Sequence, residues 1–217
     1  MGFFNKLLRP LRRPFRYEFW NASLILICVT VGAYMLARMF PPLRGLLSLN
    51  AVAVVKYRMF WQPLTYMFVH GNPSHLIFNQ LGLLFFGLSV ERSIGSKEFL
   101  LFYLLTGTLA GLASLGIFLA AGEYYAVLLG SSGAVYATLL AYAVIFPRSR
   151  IFIWGVLPVS APLLVLIYAG IALFSQTFNR GSGIAHVTHL AGFAAAWLYL
   201  VIRMGVNPLK VWGDIFR

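Results

Sequence analysis

The chain has 217 residues, of which 60% are hydrophobic and 10% are charged, and its mean hydropathy is +0.83. A soluble domain carries about 25% charged residues, so this chain has too little polar surface to fold in water and is expected in a bilayer. The basic residues behind its formal net charge of +12 lie in the segments that flank the apolar runs, which indicates membrane orientation and argues against a nucleic-acid site.

Six apolar runs follow one another along the chain, and a spanning helix needs about 20 such residues. The predicted helices are Trp20–Ala37, Leu76–Val90, Phe99–Ala121, Tyr124–Phe146, Ile151–Phe174 and Ile184–Ile202. The runs show no alternation of polarity, which excludes the strands of a membrane barrel. The sequence therefore predicts an all-α membrane protein, a six-transmembrane-helix bundle that fills residues 20–204.

The connection between the first and second runs, residues 43–75, is long and semi-polar. Leu46–Val55 and Trp61–Val69 are too short to span a bilayer and too apolar for an ordinary loop in water. Apolar segments of this kind lie in the membrane interface. We therefore predict a membrane-embedded first outer loop.

Basic residues flank the predicted bundle unevenly. The leader, residues 1–19, holds five Lys and Arg residues, the second-to-third and fourth-to-fifth connections hold two each, and the segment after the sixth run holds three, which makes twelve of seventeen. Six spans place these segments on one face, which the positive-inside rule assigns to the cytoplasm. We expect a multi-pass protein of a bacterial-type inner or plasma membrane, with the leader and the tail, residues 205–217, both cytoplasmic.

Polar residues inside apolar runs indicate functional sites. His75 and Asn79 share a helical face at the start of the second run, and His189 lies near the start of the sixth. Ser132 lies eight residues after Tyr124, or about 12 Å into the fourth helix if that run is helical throughout. Even-numbered spans all begin on the outer face, so the three groups are predicted to share one site.

These residue types suit acyl transfer. A serine hydroxyl becomes a nucleophile when a base takes its proton, and histidine is the usual base. Attack on an amide also creates an oxyanion, for which Asn79, His75 and the Ser132 backbone N–H are candidate donors. Glycines on either side of Ser132 let a substrate backbone approach. The five acidic residues all lie in the leader, the loops or the tail, so the residues predict a Ser132–His189 dyad without a third member.

Other function classes fit less well. The four histidines suggest a metal site, but the chain has no HExxH motif, no cysteine pair and no carboxylate near them, so we expect no metal and no cofactor. The only aspartate, Asp214, lies in the tail, which excludes an aspartyl protease. A transporter with a histidine proton relay is disfavoured because the two halves show no repeat.

Three motifs, in this order, resemble those of the rhomboid family of intramembrane serine proteases. They are H-x4-H-x3-N at His70–Asn79, G-x-S-G at Gly130–Gly133 and A-H-x-x-H-x-x-G at Ala185–Gly192. The resemblance extends from about Pro41 to Ile202, and Glu91-Arg92 after the second run also fits the family pattern.

The resemblance implies roles for the motif residues. Ser132 is expected to be the nucleophile and His189 the general base, while His75 and Asn79 line the oxyanion hole. The expected supporting residues are Gly130, Gly133 and Tyr136, the last of which packs against the ring of His189.

The resemblance also implies a substrate, a transmembrane helix of another membrane protein that is cut near its outer end. We expect it to enter sideways beside the fifth span, whose early turns Pro158 and Pro162 weaken. The alternative is a proteolytically silent relative that binds membrane clients; the presence of both dyad residues favours the protease. Roles for His70, His186 and Gln62 stay open, the last because many members have Arg there.

Overall fold

The structure is a computed structural model that describes residues 12–153, 155–178 and 183–214, with the backbone alone for residues 176–178 and 183–185. The described elements, in chain order, are α1 (Ala22–Met39), α2 (Pro41–Leu47), β1 (Leu49–Asn50), α3 (Ala51–Val55), α4 (Gln62–Thr65), α5 (Pro73–Ile94), α6 (Ser96–Ala121), β2 (Val127–Leu128), α7 (Ser132–Ile145), β3 (Arg150–Ile153), β4 (Leu157–Ser160), α8 (Ala161–Phe178), α9 (Gly183–Ile202) and α10 (Pro208–Gly213).

Among the residues that the structure describes, three helices are long and apolar enough to cross a membrane, namely α1, α5 and α6 with 18, 22 and 26 residues. The apolar helices α7, α8 and α9 pack with them into one bundle. The 14 residues of α7 extend only about 21 Å at about 1.5 Å per residue, less than the bilayer core of about 30 Å. The prediction of a helical membrane protein is confirmed, and the count of six complete spans stays a prediction.

The fourth predicted span begins too early. Residues 124–131 are not helical, and α7 begins at Ser132 itself. β2 in this segment pairs antiparallel with β1. Gly130 has a φ of +107°, a backbone conformation that prevents α7 from extending toward the N-terminus beyond this residue. The prediction that Ser132 lies eight residues inside a helix is therefore wrong.

The fifth predicted span also begins too early. β3 and β4 form an antiparallel hairpin, Gly155 between them has a φ of +72°, and α8 begins at Ala161. Pro158 lies in β4, and Pro162 lies in the first turn of α8, where a missing N–H removes no helical hydrogen bond. The prediction that these prolines weaken the early turns of a helix is wrong.

The first loop is fastened to the segment that leads to Ser132. Leu49 pairs with Leu128 and Asn50 with Val127 in the β1–β2 ladder. Gln62 is fully buried in this loop; its side-chain oxygen accepts from the Asn50 N–H at 3.1 Å and its amide donates to the carbonyl oxygens of residues 45 and 46, both at 3.2 Å. Gln62 thus closes the loop. Embedding of the loop in the membrane stays a prediction.

Two carboxylates tie the opposite end of the bundle together. Glu91, fully buried, accepts the backbone N–H groups of Ala22 and Ser23 and so caps α1, where a negative charge is favourable. Glu98 accepts both Arg203 Nε and Nη2 at 2.8 Å. Together these contacts fix α5, α6 and α9 relative to α1 at the end remote from Ser132.

Candidate active site

Ser132 is the first residue of α7, and its environment follows from the backbone just before it. Gly130 adopts a positive φ, and a Cβ at this position would collide with the ring of His75. Only glycine therefore lets the chain turn into α7 while the His75 ring lies against it. The N–H groups of the first turn of a helix have no intrahelical acceptor, so the N–H groups of Ser132 and Gly133 are available as donors.

His189, on α9, lies within hydrogen-bonding distance of Ser132, with Nε2 and Oγ 2.9 Å apart. This approach depends on close contact between α7 and α9. A Cβ on Gly192 would collide with the carbonyl oxygen of Gly133, and one on Gly133 would lie 3.1 Å from Thr188 Cγ2 of α9. The small residues predicted from the sequence therefore bring the two side chains together.

Aromatic side chains hold the His189 ring from the other side. Tyr136, one turn after Ser132, stacks on it with a centroid distance of 4.0 Å and an interplanar angle of 13°. Tyr136 in turn contacts Tyr168 of α8 at 5.5 Å and Phe193 of α9 at 5.2 Å. The imidazole plane is thus set by packing. Among the described side chains, no carboxylate forms an ion pair with His189.

His75 and Asn79 lie on the first turns of α5 and face the same cavity as the Ser132–His189 pair. Asn72 begins the helix, since its side-chain oxygen accepts the His75 N–H at 2.8 Å. Asn79 is buried, and its amide donates to the His75 carbonyl oxygen at 2.8 Å. That contact fixes the Asn79 amide while leaving its second N–H for another acceptor.

The cavity that these four residues share has a volume of about 410 Å³. Its walls are otherwise apolar and come from α5, α7 and α8; the wall residues that the structure describes are Phe78, Leu81, Gly82, Phe85, Phe86, Val135, Tyr136, Leu139 and Tyr168. The cleft lies between α5 and α8, while α8 packs against α7 and α9. The cavity thus combines a mainly apolar wall with one polar group, formed by His75, Asn79, Ser132 and His189.

Two neighbouring residues have contacts that sequence reasoning did not assign. His70, which precedes α5, is buried, and its Nε2 accepts the Ser131 N–H at 3.4 Å while its ring lies 5.0 Å from that of His75. Burial, with His75 as the lesser cause, lowers the pKa of His70 to about 3. His186 lies 6.1 Å from His189, edge to face. The motif spacing marked both histidines but gave no partner for either.

No group of three or more His, Cys, Asp or Glu side chains that could hold a metal ion occurs among the residues that the structure describes. The four histidines form two edge-to-face pairs, His70 with His75 and His186 with His189. The donor set around Ser132 is therefore one of imidazoles, an amide and backbone N–H groups, which suits proton transfer and oxyanion binding.

Comparison with known proteins shows which family the chain is similar to. The model of the Rhomboid domain matches residues 57–205. RHOMBOID-like protein 12, mitochondrial, of Arabidopsis thaliana is 31% identical over 62% of this chain and 44% of its own length. Rhomboid protease GluP of Bacillus subtilis (strain 168) is 33% identical over 65% of this chain and 26% of its own length. Rhomboid-like protein 11, chloroplastic, of Arabidopsis thaliana is 32% identical over 79% of this chain and 61% of its own length. The chain spans less than two thirds of each of these relatives.

Proposed function

Because the chain belongs to the rhomboid family, we propose that this multi-pass membrane protein is an intramembrane serine endopeptidase. It cleaves transmembrane helices of other membrane proteins near the outer membrane face. The observation that carries the proposal is the 2.9 Å separation between Ser132 Oγ and His189 Nε2, in the wall of an otherwise apolar cleft.

In the proposed reaction, His189 Nε2 takes the proton from Ser132 Oγ as that oxygen attacks the carbonyl carbon of the scissile bond. The carbonyl oxygen becomes an oxyanion, for which the Ser132 N–H, the Asn79 amide and the His75 ring are donors. The protonated His189 then gives its proton to the leaving amine. His189 next deprotonates a water, which attacks the acyl-enzyme ester. His189 returns that proton to Ser132 Oγ as the ester C–O bond breaks and the carboxylic acid product leaves.

The dyad needs no carboxylate in this account, because Tyr136 stacking orients the imidazole. A carboxylate in a triad orients the ring and stabilises its charged form. The contact with Tyr136 supplies the orientation. Stabilisation of the protonated His189 ring is left to Ser132 Oγ and the substrate. The proposed enzyme is therefore expected to turn over more slowly than a triad protease.

The cleft between α5 and α8 supports sideways entry of the substrate. A transmembrane helix keeps its carbonyl groups in hydrogen bonds, so it must unwind before Ser132 reaches one. The apolar wall residues Phe78 and Phe85 are 70% and 65% exposed, and they offer an unwound segment an apolar surface. Substrate entry between these helices agrees with the expected entry beside the fifth predicted span, which is α8 in the structure. It requires no contribution from Pro158 or Pro162.

The orientation in the membrane is part of the proposal. The excess of basic residues in the predicted inner segments supports cytoplasmic termini in a bacterial-type inner or plasma membrane. Relatives named mitochondrial and chloroplastic make organelle membranes the alternative.

The activity is tested by reconstituting the protein in liposomes with a single-span protein substrate. We expect cleavage by the wild type and by Ser93→Ala, a control serine remote from the site whose hydroxyl bonds only to its own helix. Ser132→Ala and His189→Ala are expected to lower cleavage by at least about 10³-fold. Undiminished cleavage by either dyad variant would overturn the mechanism, and intact substrate throughout would favour the client-binding alternative.

A further inference from the structure

A second cavity lies on the same face as Ser132, between the end of α1 and the loop that precedes α5. Its volume is about 120 Å³, about ten times what a single water needs. The residues that line it are Tyr34, Ala37, Arg38, Pro41, Arg44 and His70. It is separate from the apolar cleft, with which it shares no lining residue.

The charge of this cavity is entirely positive in the part of the chain that the structure describes. Arg38 and Arg44 contribute two guanidinium groups, and no carboxylate lines the cavity. The Arg44 Nη2 atom is 3.9 Å from where a Cβ on Gly71 would lie, so this guanidinium lies beside the residue that follows His70. Neither arginine is among the described ion pairs.

His70 adds a donor that has no acceptor. Its Nε2 accepts the Ser131 N–H at 3.4 Å, and burial lowers its pKa to about 3, so the ring is neutral and its proton is on Nδ1. That Nδ1 atom is buried and has no hydrogen-bond partner, and the side chain is only 3% exposed. A buried donor in this position requires an acceptor.

We propose that this cavity binds a phosphate group, with Arg38 and Arg44 as its charged ligands and His70 Nδ1–H as a neutral donor. Guanidinium groups match phosphate oxygens in a planar, bidentate geometry. The cavity lies at the end of the apolar helix α1, and a membrane span over α1 would bring it near the lipid head groups. The phosphate of a lipid head group and free phosphate share this chemistry, and the test separates the two.

The proposed site adjoins the turn that precedes the proposed nucleophile. The His70 ring lines the cavity and also contacts Ser131, the residue before Ser132. Phosphate binding therefore fixes the ring that holds the turn into α7. This inference does not depend on the proposed proteolysis, and its test uses no substrate.

Binding is measured on the full chain in uncharged detergent micelles at constant ionic strength. Inorganic phosphate and, separately, dihexanoyl phosphatidic acid are titrated while Tm is recorded. We expect a saturable rise in Tm for the wild type and an at least tenfold weaker affinity for R38Q/R44Q. The control is K56Q/R58Q, which removes two charges from the same loop but none from the cavity, and its affinity is expected within twofold of the wild type.

The outcomes separate clearly. A response to inorganic phosphate identifies free phosphate as a sufficient ligand, and a response to the lipid alone identifies the head group. No rise in wild-type Tm with either probe overturns the proposal. Equal losses in the two double variants also overturn it, because they show general charge attraction. If R38Q/R44Q does not fold, R38Q and R44Q singly are each expected to weaken binding at least threefold, and unchanged affinity in both overturns the site.

Discussion

At the scale of single residues, the orientation of His189 depends on one stacked ring. Tyr136 covers the imidazole face at 4.0 Å and is itself packed against Tyr168 and Phe193. No carboxylate is paired with His189 among the described side chains. The contacts described for its ring are the Tyr136 stack, the Ser132 hydroxyl and the edge-to-face ring of His186. Tyr136 is therefore a positioning residue.

Removing this ring should affect the chemical step more than substrate binding. Tyr136→Ala is expected to lower kcat by about 10- to 100-fold with KM changed less than about threefold, because misplacement of a base by about 1 Å costs about 10² in rate. Tyr136→Phe keeps the stack and is expected to retain kcat within about threefold. Steady-state cleavage in micelles measures both. A fall confined to KM, or no effect of the alanine, would contradict the positioning role.

Residue types predicted part of the site but not its contacts. The spacing of His75, Asn79, Ser132 and His189 predicted that they share one end of the bundle, and the structure brings all four to one cavity. The buried links of Gln62 and the His70–Ser131 contact depend on how the first loop closes onto the segment before α7. Such pairings between distant segments leave no local pattern in the sequence.

At the scale of elements, the distance between α7 and α9 is set by glycine. A Cβ at residue 192 would meet the backbone of Gly133, which no side-chain rotation relieves. Close approach of this kind requires small residues on both helices. The dyad, with one member on each helix, depends on this approach.

Gly192→Ala is therefore expected to separate the helices and destabilise the fold. We expect a loss of about 2 kcal/mol in the free energy of unfolding, within the range for overpacked cores, and a loss of cleavage because Ser132 and His189 move apart. Gly116→Ala is the control, since a Cβ there meets nothing within 4 Å, and its stability is expected to change by less than about 1 kcal/mol. Unfolding in mixed micelles gives both values; equal effects would show that helix propensity, not packing, governs residue 192.

The Arg203–Glu98 ion pair, between the end of α9 and α6, is predicted to contribute more to the free energy of unfolding than the exposed Lys97–Glu18 pair. Arg203 and Glu98 side chains are 18% and 7% exposed, whereas Lys97 and Glu18 are 49% and 42% exposed. Arg203→Met leaves a buried carboxylate and is expected to cost about 3 kcal/mol. Lys97→Met is expected to cost less than about 1 kcal/mol. The same unfolding assay compares them, and similar costs would contradict this ranking.

Helix boundaries were predictable where apolar runs end at charges or glycine. α1, α6 and α9 begin and end within about three residues of their predicted limits. The two errors share one physical cause. Both apolar segments contain strands in place of helix, β2 in the first and β3 with β4 in the second, and an apolar run alone does not distinguish a strand from a helix. Gly130 and Gly155, with their positive φ values, break both segments.

At the scale of the whole molecule, the two ends of the bundle differ. The end remote from Ser132 is held by the carboxylates Glu91 and Glu98, and by Trp212 of α10, which donates to the Ala143 carbonyl oxygen at 3.0 Å. The Ser132 end contains the apolar cleft and the cationic cavity. The buried polar contacts are thus described at one end and the two cavities at the other, an arrangement compatible with the proposed sideways entry of a substrate.

The most direct test of the central claim is whether His189 activates Ser132. The protein in micelles is incubated with a fluorophosphonate probe that reacts with activated serines, and the labelled residue is identified by mass spectrometry. We predict stoichiometric labelling at Ser132, none in Ser132→Ala, and labelling at least about 10³-fold slower in His189→Ala. Labelling of His189→Ala at the wild-type rate, or of a residue other than Ser132, would contradict the account.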